Sequence, residues 1–338
     1  MTYPLPIADL HCDLLLYLSG DAQRTPYDPE VKCAVPQLIQ GEVKLQTMAI
    51  SSETVPGSRQ SGHAQAEIFR SLPKKFPSVF EFLPRKISPD TLQISKTIKI
   101  VAALENASAF CAEEDDLDHQ LEQLTTMQKK IGKLLYISLT WNTENRFGGG
   151  ALTKVGLKED GKRLVEYMSC RGIALDLSHT SYHLAYGIVE HIDKEKINIP
   201  ILASHSNFRA VSNYARNLPD DIAKEIIRRN GIIGLNFIRY LLGRDAPHAL
   251  AKHVEHLLNL GGEKSLSFGA DFFYNGDVSI SNRKPVDELF FPHFSHAGTY
   301  PIVLEMLKKE LSLPDTVLAN LSSHNFLRFI ANDTKTHS

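Results

Sequence analysis

Eight short apolar runs recur along the chain, at 7–13, 43–50, 98–104, 134–139, 173–177, 199–204, 232–237 and 266–270. Several are separated by stretches with apolar residues at helical spacing, at 115–131, 159–170, 182–191 and 246–260, and Pro219-Asp220-Asp221 reads as a helix start. Strand–helix alternation with few hairpin signals calls for parallel strands joined by crossover helices. Two architectures satisfy that pattern: a (β/α)8 barrel and a doubly wound open sheet.

The polar residues favour the barrel. His11, Asp13, Glu105, His179, His205 and Asp271 all fall at or just past the ends of different apolar runs. In a (β/α)8 barrel these positions share one rim, where active sites of this fold are built. Taken singly, each is an ordinary loop residue; together they form a constellation. On an extended strand His11 and Asp13, two residues apart, point the same way, while Cys12 turns to the opposite face as a small packed residue.

Three imidazoles and up to three carboxylates exceed the donors of one tetrahedral ion, so two divalent metal ions are expected. A carboxylate such as Glu105 can bridge two ions and share a hydroxide nucleophile between them. Imidazole with carboxylate suits zinc first, then manganese, iron or nickel.

Composition removes other classes. The 338 residues carry 37 Lys and Arg against 39 Asp and Glu, with no basic stripe interleaved with aromatics, so nucleic acid is not an expected partner. No apolar run approaches the length of a membrane-spanning helix, and the first strand begins too early for a secretory signal, so no membrane partner is expected. Cys12, Cys33, Cys111 and Cys170 form no Cys-x-x-Cys pair and read as free thiols of a cytoplasmic protein.

Asp9-Leu10-His11-Cys12-Asp13, Glu105, Asp176-Leu177-Ser178-His179, Ser204-His205-Ser206, the run from Arg216 to Asp221, and Gly269-Ala270-Asp271-Phe272 occur in an order and at spacings that resemble the membrane dipeptidase (renal dipeptidase, peptidase M19) family of the amidohydrolase superfamily. The resemblance covers almost the whole chain, as far as Asn325-Phe326-Leu327-Arg328. It implies that His11 and Asp13 bind one zinc, His179 and His205 the other, and Glu105 bridges them. It further implies that Asp271 is the catalytic general base and acid, that Arg216 clamps the carboxylate of a small peptide substrate, and that the protein forms homodimers. Dipeptides, including those with a D-residue at the C-terminal position, are the expected substrates; the alternatives are an amide or lactone hydrolase and a metal-binding barrel without turnover.

One position departs from the family pattern. After Leu139-Thr140, where the best-known members carry a His that contacts the substrate carbonyl, this chain has Trp141. An indole donates only, so Trp141 is expected to act as an apolar wall of the substrate pocket, with Asn142, Asn145 or Arg146 supplying polar contacts. The whole chain is expected to be one barrel domain with extra C-terminal helices, an elaborated loop and helix at 51–97, and a lid at 272–300. His183 is expected to be solvated on the helix after His179.

Overall fold

The computed structural model describes residues 4–243, 248–276 and 289–333. Nine parallel strands form one sheet: β1 (Ile7–Cys12), β2 (Val43–Ser51), β3 (Phe80–Phe82), β4 (Ile98–Glu105), β5 (Leu134–Ser138), β6 (Ala174–Asp176), β7 (Ile201–Ala203), β8 (Ile232–Leu235) and β9 (Leu266–Phe268). Eight of them close on themselves in the cyclic order β1-β2-β4-β5-β6-β7-β8-β9, joined by β1–β9 and β2–β4 pairing. This is the (β/α)8 barrel expected from the sequence, with helices such as Leu117–Ile131, Glu159–Ser169, Tyr182–Glu195 and Asp220–Arg228 between strands.

The ninth strand is the addition. β3 lies in the 51–97 segment, beside the helix Ser58–Lys75, and pairs with residues 98–100 of β4, whereas β5 joins β4 only from Ala102 onward. The stagger of the barrel thus leaves the first residues of β4 uncovered by β5, and β3 covers them. Its three residues give too short an alternation to be read from sequence.

The barrel interior is apolar at the end where the strands begin. Ala8, Leu45, Leu135 and Ile232 pack there against Phe326, Phe329 and Ile330 of the C-terminal helix Asn325–Asp333. A separate, larger apolar layer lies between strands and outer helices and includes Cys12 and Cys33. The middle of the expected lid, 277–288, lies outside the described residues; its flanks Phe272, Phe290, Phe291 and Phe294 are buried in the outer layer. His183 is exposed on its helix, as expected.

β1 is not a regular strand. Asp9 pairs with Gln46 and Cys12 with Met48, so three steps on β1 match two on β2: a one-residue bulge. Before it, Ala8 and Leu10 face the interior; after it His11 does so too, and Cys12 faces the outer layer. Strict alternation would have put His11 on the side of Ile7. The Asp9 carboxylate holds the bulge, accepting from the His11 backbone N–H at 2.7 Å and the Ala270 N–H at 3.2 Å.

Candidate metal and substrate site

At the other end of the barrel, the strand termini bring six side chains together. His11 Nε2 lies 3.5 Å from Glu105 Oε2, 3.7 Å from Asp271 Oδ1 and 3.8 Å from Asp13 Oδ1. On the far side of Glu105, Oε1 lies 2.8 Å from His179 Nε2 and 3.4 Å from His205 Nε2. Three overlapping groups of ligand atoms result: His11, Asp13 and Glu105; Glu105, His179 and His205; His11, His205 and Asp271. Every one of the six residues is buried.

The three imidazoles are oriented alike. His11 Nδ1 meets the Tyr136 hydroxyl at 2.8 Å, and because that hydroxyl donates to the Leu10 carbonyl, the ring nitrogen is the donor of the pair. His205 Nδ1 donates to Ser204 Oγ at 2.7 Å, whose own proton goes to Asp176 Oδ2 at 2.6 Å. His179 Nδ1 donates to the side-chain oxygen Oδ1 of Asn142 at 2.9 Å. With each Nδ1 engaged, Nε2 is the atom presented to the cluster, the arrangement that metal-binding histidines adopt.

The donor set fits divalent cations. His11 Nε2 is buried without a hydrogen-bond partner, and His179 Nε2 and His205 Nε2 face each other at 2.8 Å, a contact between two lone pairs unless positive charge lies beside them. The field agrees. Burial disfavours an imidazolium at His11, yet Glu105, Asp13 and Asp271 outweigh it and raise the ring to about 10. Burial, then the Arg216 charge, lowers His179 to about 4. Glu105 stays ionised well below the usual carboxylate range because its histidine neighbours, His11 foremost, overcome the cost of burial.

Backbone conformation helps to aim the ligands. His179 and Asp271, each just past a strand end, sit at φ 63°, a left-handed conformation that is uncommon for residues other than glycine. Beneath them, Gly234 of β8 and Gly269 close after β9 let the Ser204 carbonyl approach: a Cβ on either would lie 2.0 or 1.9 Å from that oxygen. The residue that follows, His205, is set by this close approach.

Asp271 has a distinct environment. Asn236 donates to its Oδ2 at 2.9 Å, leaving Oδ1 turned toward His11. Burial, partly offset by His11, raises its carboxyl to about 6. Arg216 is buried beside the cluster, where Nη1 donates to Ser206 Oγ at 2.9 Å and Nη2 to the His205 carbonyl at 3.0 Å. Those bonds engage two of its five N–H donors, and no carboxylate lies within salt-bridge distance of it among the described residues.

The cluster opens into a cleft of ≈ 160 Å³ walled by Trp141, Asn142, Tyr240, Phe273 and Leu289, with Ser52 and Glu53 also on its lining. A larger, shallow depression between helices Glu159–Ser169 and Tyr182–Glu195 holds no member of the cluster. Trp141 packs on His179 with ring centroids 5.9 Å apart. Of its polar neighbours, only Asn142 reaches the site. Asn145 is buried against the Leu139 carbonyl and Asn106, and Arg146 pairs with Asp160 and the carbonyls of Ala112 and Asp115.

Several contributors escaped the sequence reading. Tyr136, Ser204, Asn236 and Ser51, which donates to Glu105 Oε2 at 2.8 Å, act at one remove. Their only signal was a polar group within or beside an apolar run.

The family model for "Membrane dipeptidase (Peptidase family M19)" matches residues 2–337. The chain belongs to this family. An uncharacterised protein from the pqqA 5′ region of Klebsiella pneumoniae is 27% identical over 192 residues, covering 52% of this chain and 66% of that protein. Dipeptidase verJ of Clonostachys rogersoniana is 26% identical over 219 residues, 62% of this chain and 52% of its own length. The match thus spans between half and two thirds of these curated relatives. A Rhodobacter sphaeroides metallopeptidase, solved with a phosphinate mimic of L-Ala-D-Ala, superposes with TM-score 0.77 at 19% identity over 97% of this chain and 99% of its own. That likeness establishes the shared fold.

Proposed function

We propose that this member of the M19 family is a binuclear zinc dipeptidase acting on small dipeptides, including those with a D-residue at the C-terminal position. The observation that carries the binuclear reading is the division of Glu105: one oxygen turns toward His11, the other toward His179 and His205. His11 and Asp13 would hold one ion, His179 and His205 the other, and Glu105 both. When bound, the ions supply Lewis acidity and a deprotonated water at neutral pH.

The chain's own groups do the rest. Asp271, oriented by Asn236, takes up a proton from the attacking water and returns it to the leaving amine. Arg216, with N–H donors beyond the two already engaged, receives the substrate's terminal carboxylate in a fork. Trp141 forms an apolar wall over His179, and the cleft volume suits a molecule of dipeptide size better than a long peptide. The mimic held by the Rhodobacter sphaeroides protein supports the same substrate class. Four free cysteines support a reducing, cytoplasmic setting.

Trp141 also favours a second reading, hydrolysis of another amide or a lactone on the same site, because its indole replaces the family's polar contact with the substrate carbonyl. One experiment separates the two. Zinc-loaded protein should cleave dipeptides with a free C-terminus and cleave their C-terminal amides poorly, and chelation should abolish both. Arg216→Ala should lower kcat/KM at least tens-fold on free dipeptides and far less on amides, since truncating one side of a buried charge pair costs ~2–5 kcal/mol. Equal rates on both substrate types would transfer the function to the second reading.

A further inference from the structure

One buried carboxylate takes no part in the proposed chemistry. Asp176, the last residue of β6, is fully buried, as are its neighbours Ser138 at the end of β5 and Ser204 just past β7. Four donors point at it: the backbone N–H groups of Ser204 at 2.8 Å and Ser178 at 3.0 Å reach Oδ1, and the hydroxyls of Ser138 and Ser204, each at 2.6 Å, reach Oδ2. All four are neutral, and no Lys, Arg or His nitrogen lies within salt-bridge distance of Asp176 among the described residues. A charge buried under neutral donors alone is costly to keep. An uncharged amide could serve the two N–H groups equally well with its oxygen; what it could not do is accept from both hydroxyls.

The direction of those hydroxyl bonds reaches the cluster. Ser204 has a single hydroxyl proton, and with Asp176 Oδ2 holding it, Ser204 Oγ can meet His205 Nδ1 at 2.7 Å only as an acceptor. The proton of that contact therefore belongs to Nδ1, and Nε2 is left to face Glu105 Oε1 at 3.4 Å. The other two imidazoles are backed differently. His11 Nδ1 meets the Tyr136 hydroxyl and His179 Nδ1 the side-chain amide of Asn142, both neutral groups. Of the three, His205 is the one whose ring proton is held, through one serine, by an anion.

We infer that Asp176 is a positioning residue that fixes the tautomer of His205: through Ser204 it holds the ring proton on Nδ1 and keeps Nε2 open as a ligand. This rests on the reading of His205 as a metal ligand. No group changes charge; only the polarity of two hydrogen bonds in series matters. Asp176→Asn reverses that polarity. With its amide oxygen kept toward the Ser178 and Ser204 N–H groups, the new side chain offers two amide protons to the two hydroxyls. Ser204 Oγ then accepts from the amide, and its own proton turns to His205 Nδ1. The neutral ring must carry its proton on Nε2, the atom that an ion requires bare.

Zinc titration of the metal-free protein in competition with a chromophoric chelator tests this. In Asp176→Asn the affinity for one ion should fall about 100-fold, and in Ser204→Ala, where Nδ1 merely loses its partner, about tenfold. The double variant decides between tautomer and fold. Without the Ser204 hydroxyl the reversal cannot reach the ring, so adding Ser204→Ala to Asp176→Asn should restore affinity to the level of Ser204→Ala alone, whereas a carboxylate that only supports the fold would give losses that add. Nitrogen-15 spectra of the histidine side chains should place the His205 proton on Nδ1 in the wild-type protein and on Nε2 in Asp176→Asn. Wild-type zinc affinity in Asp176→Asn, or a double variant weaker than both single ones, overturns the inference and leaves the metal site standing. If Asp176→Asn does not fold, Ser204→Ala carries the test: His205 should then populate both tautomers, and an undisturbed Nδ1–H overturns the inference. Wild-type protein that takes up no zinc would overturn the metal-site reading instead, and the nitrogen-15 spectra would still decide the tautomer.

Discussion

The two ends of this barrel are made from the same eight strands and held by different physics. At the end where strands begin, Ala8, Leu45 and Ile232 meet Phe326, Phe329 and Ile330 in a layer of apolar contacts that tolerates small shifts and needs no directional bonds. At the opposite end, His11, Glu105, His179, His205 and Asp271 are as deeply buried, yet each depends on directed partners: Tyr136, Ser51, Asn142, Ser204 and Asn236. Left-handed backbone occurs at both ends, but at Glu42 and Asn230 it only leads into β2 and β8, whereas at His179 and Asp271 it carries side chains of the cluster. The difference teaches that stability and chemistry are separated along the strand axis, with the apolar floor offsetting the cost of a crowded polar rim.

Substitutions at the two ends should therefore fail in different ways. Glu105→Ala should have the largest effect: metal content by elemental analysis should fall from the proposed two ions per chain toward none and the proposed dipeptide turnover should be lost, while thermal unfolding of the metal-free protein changes little by comparison. Retention of two ions would break the contrast at its centre. Phe329→Ala should do the converse, lowering unfolding free energy by about 3–5 kcal/mol in a denaturant titration while metal stoichiometry and kcat stay as in wild type.

Outside the strands, on the helix Ala249–Asn259, stands His253, buried with Nδ1 accepting from the Phe208 N–H and Nε2 bonded to the Leu242 carbonyl. Burial lowers its pKa to about 4. The unfolded chain binds this proton below pH ~6.5 and the folded protein only below about 4, so stability is full above 6.5 and falls as pH drops through that window. The expected loss is up to about 3 kcal/mol, and His253→Asn should remove that part of the pH slope in denaturant titrations at pH 7, 6, 5 and 4. An unchanged slope would exclude this residue as its source. The smallest effect belongs to Asn142→Ala, which frees His179 Nδ1: zinc affinity should fall about 10- to 100-fold by competition with a chromophoric chelator.

Much of this was readable before any coordinates. Strand–helix alternation and polar residues at run ends led to the barrel, because both are local consequences of which face of a strand is buried. The same signals named His11, Asp13, Glu105, His179, His205 and Asp271, and the structure brings all six together. What was not readable depends on distant partners. Tyr136 meets His11 across 125 residues of chain, and β3 exists only because β4 extends beyond the reach of β5. Arg146, a free cation in sequence, is taken up by Asp160 and two carbonyls.

The bulge in β1 carries a consequence for how the strand can vary. By inserting one residue between Asp9 and Cys12, it divides β1 into two short segments of opposite phase, one counted from the floor and one from the rim. Straightening the bulge with every residue kept would leave the floor segment in register and rotate only the rim segment, turning the His11 imidazole out of the barrel and the Cys12 thiol in. Joining two frames in one strand gives each its own alphabet, so the apolar code of Ala8 and Leu10 can drift without being read by the residues that follow.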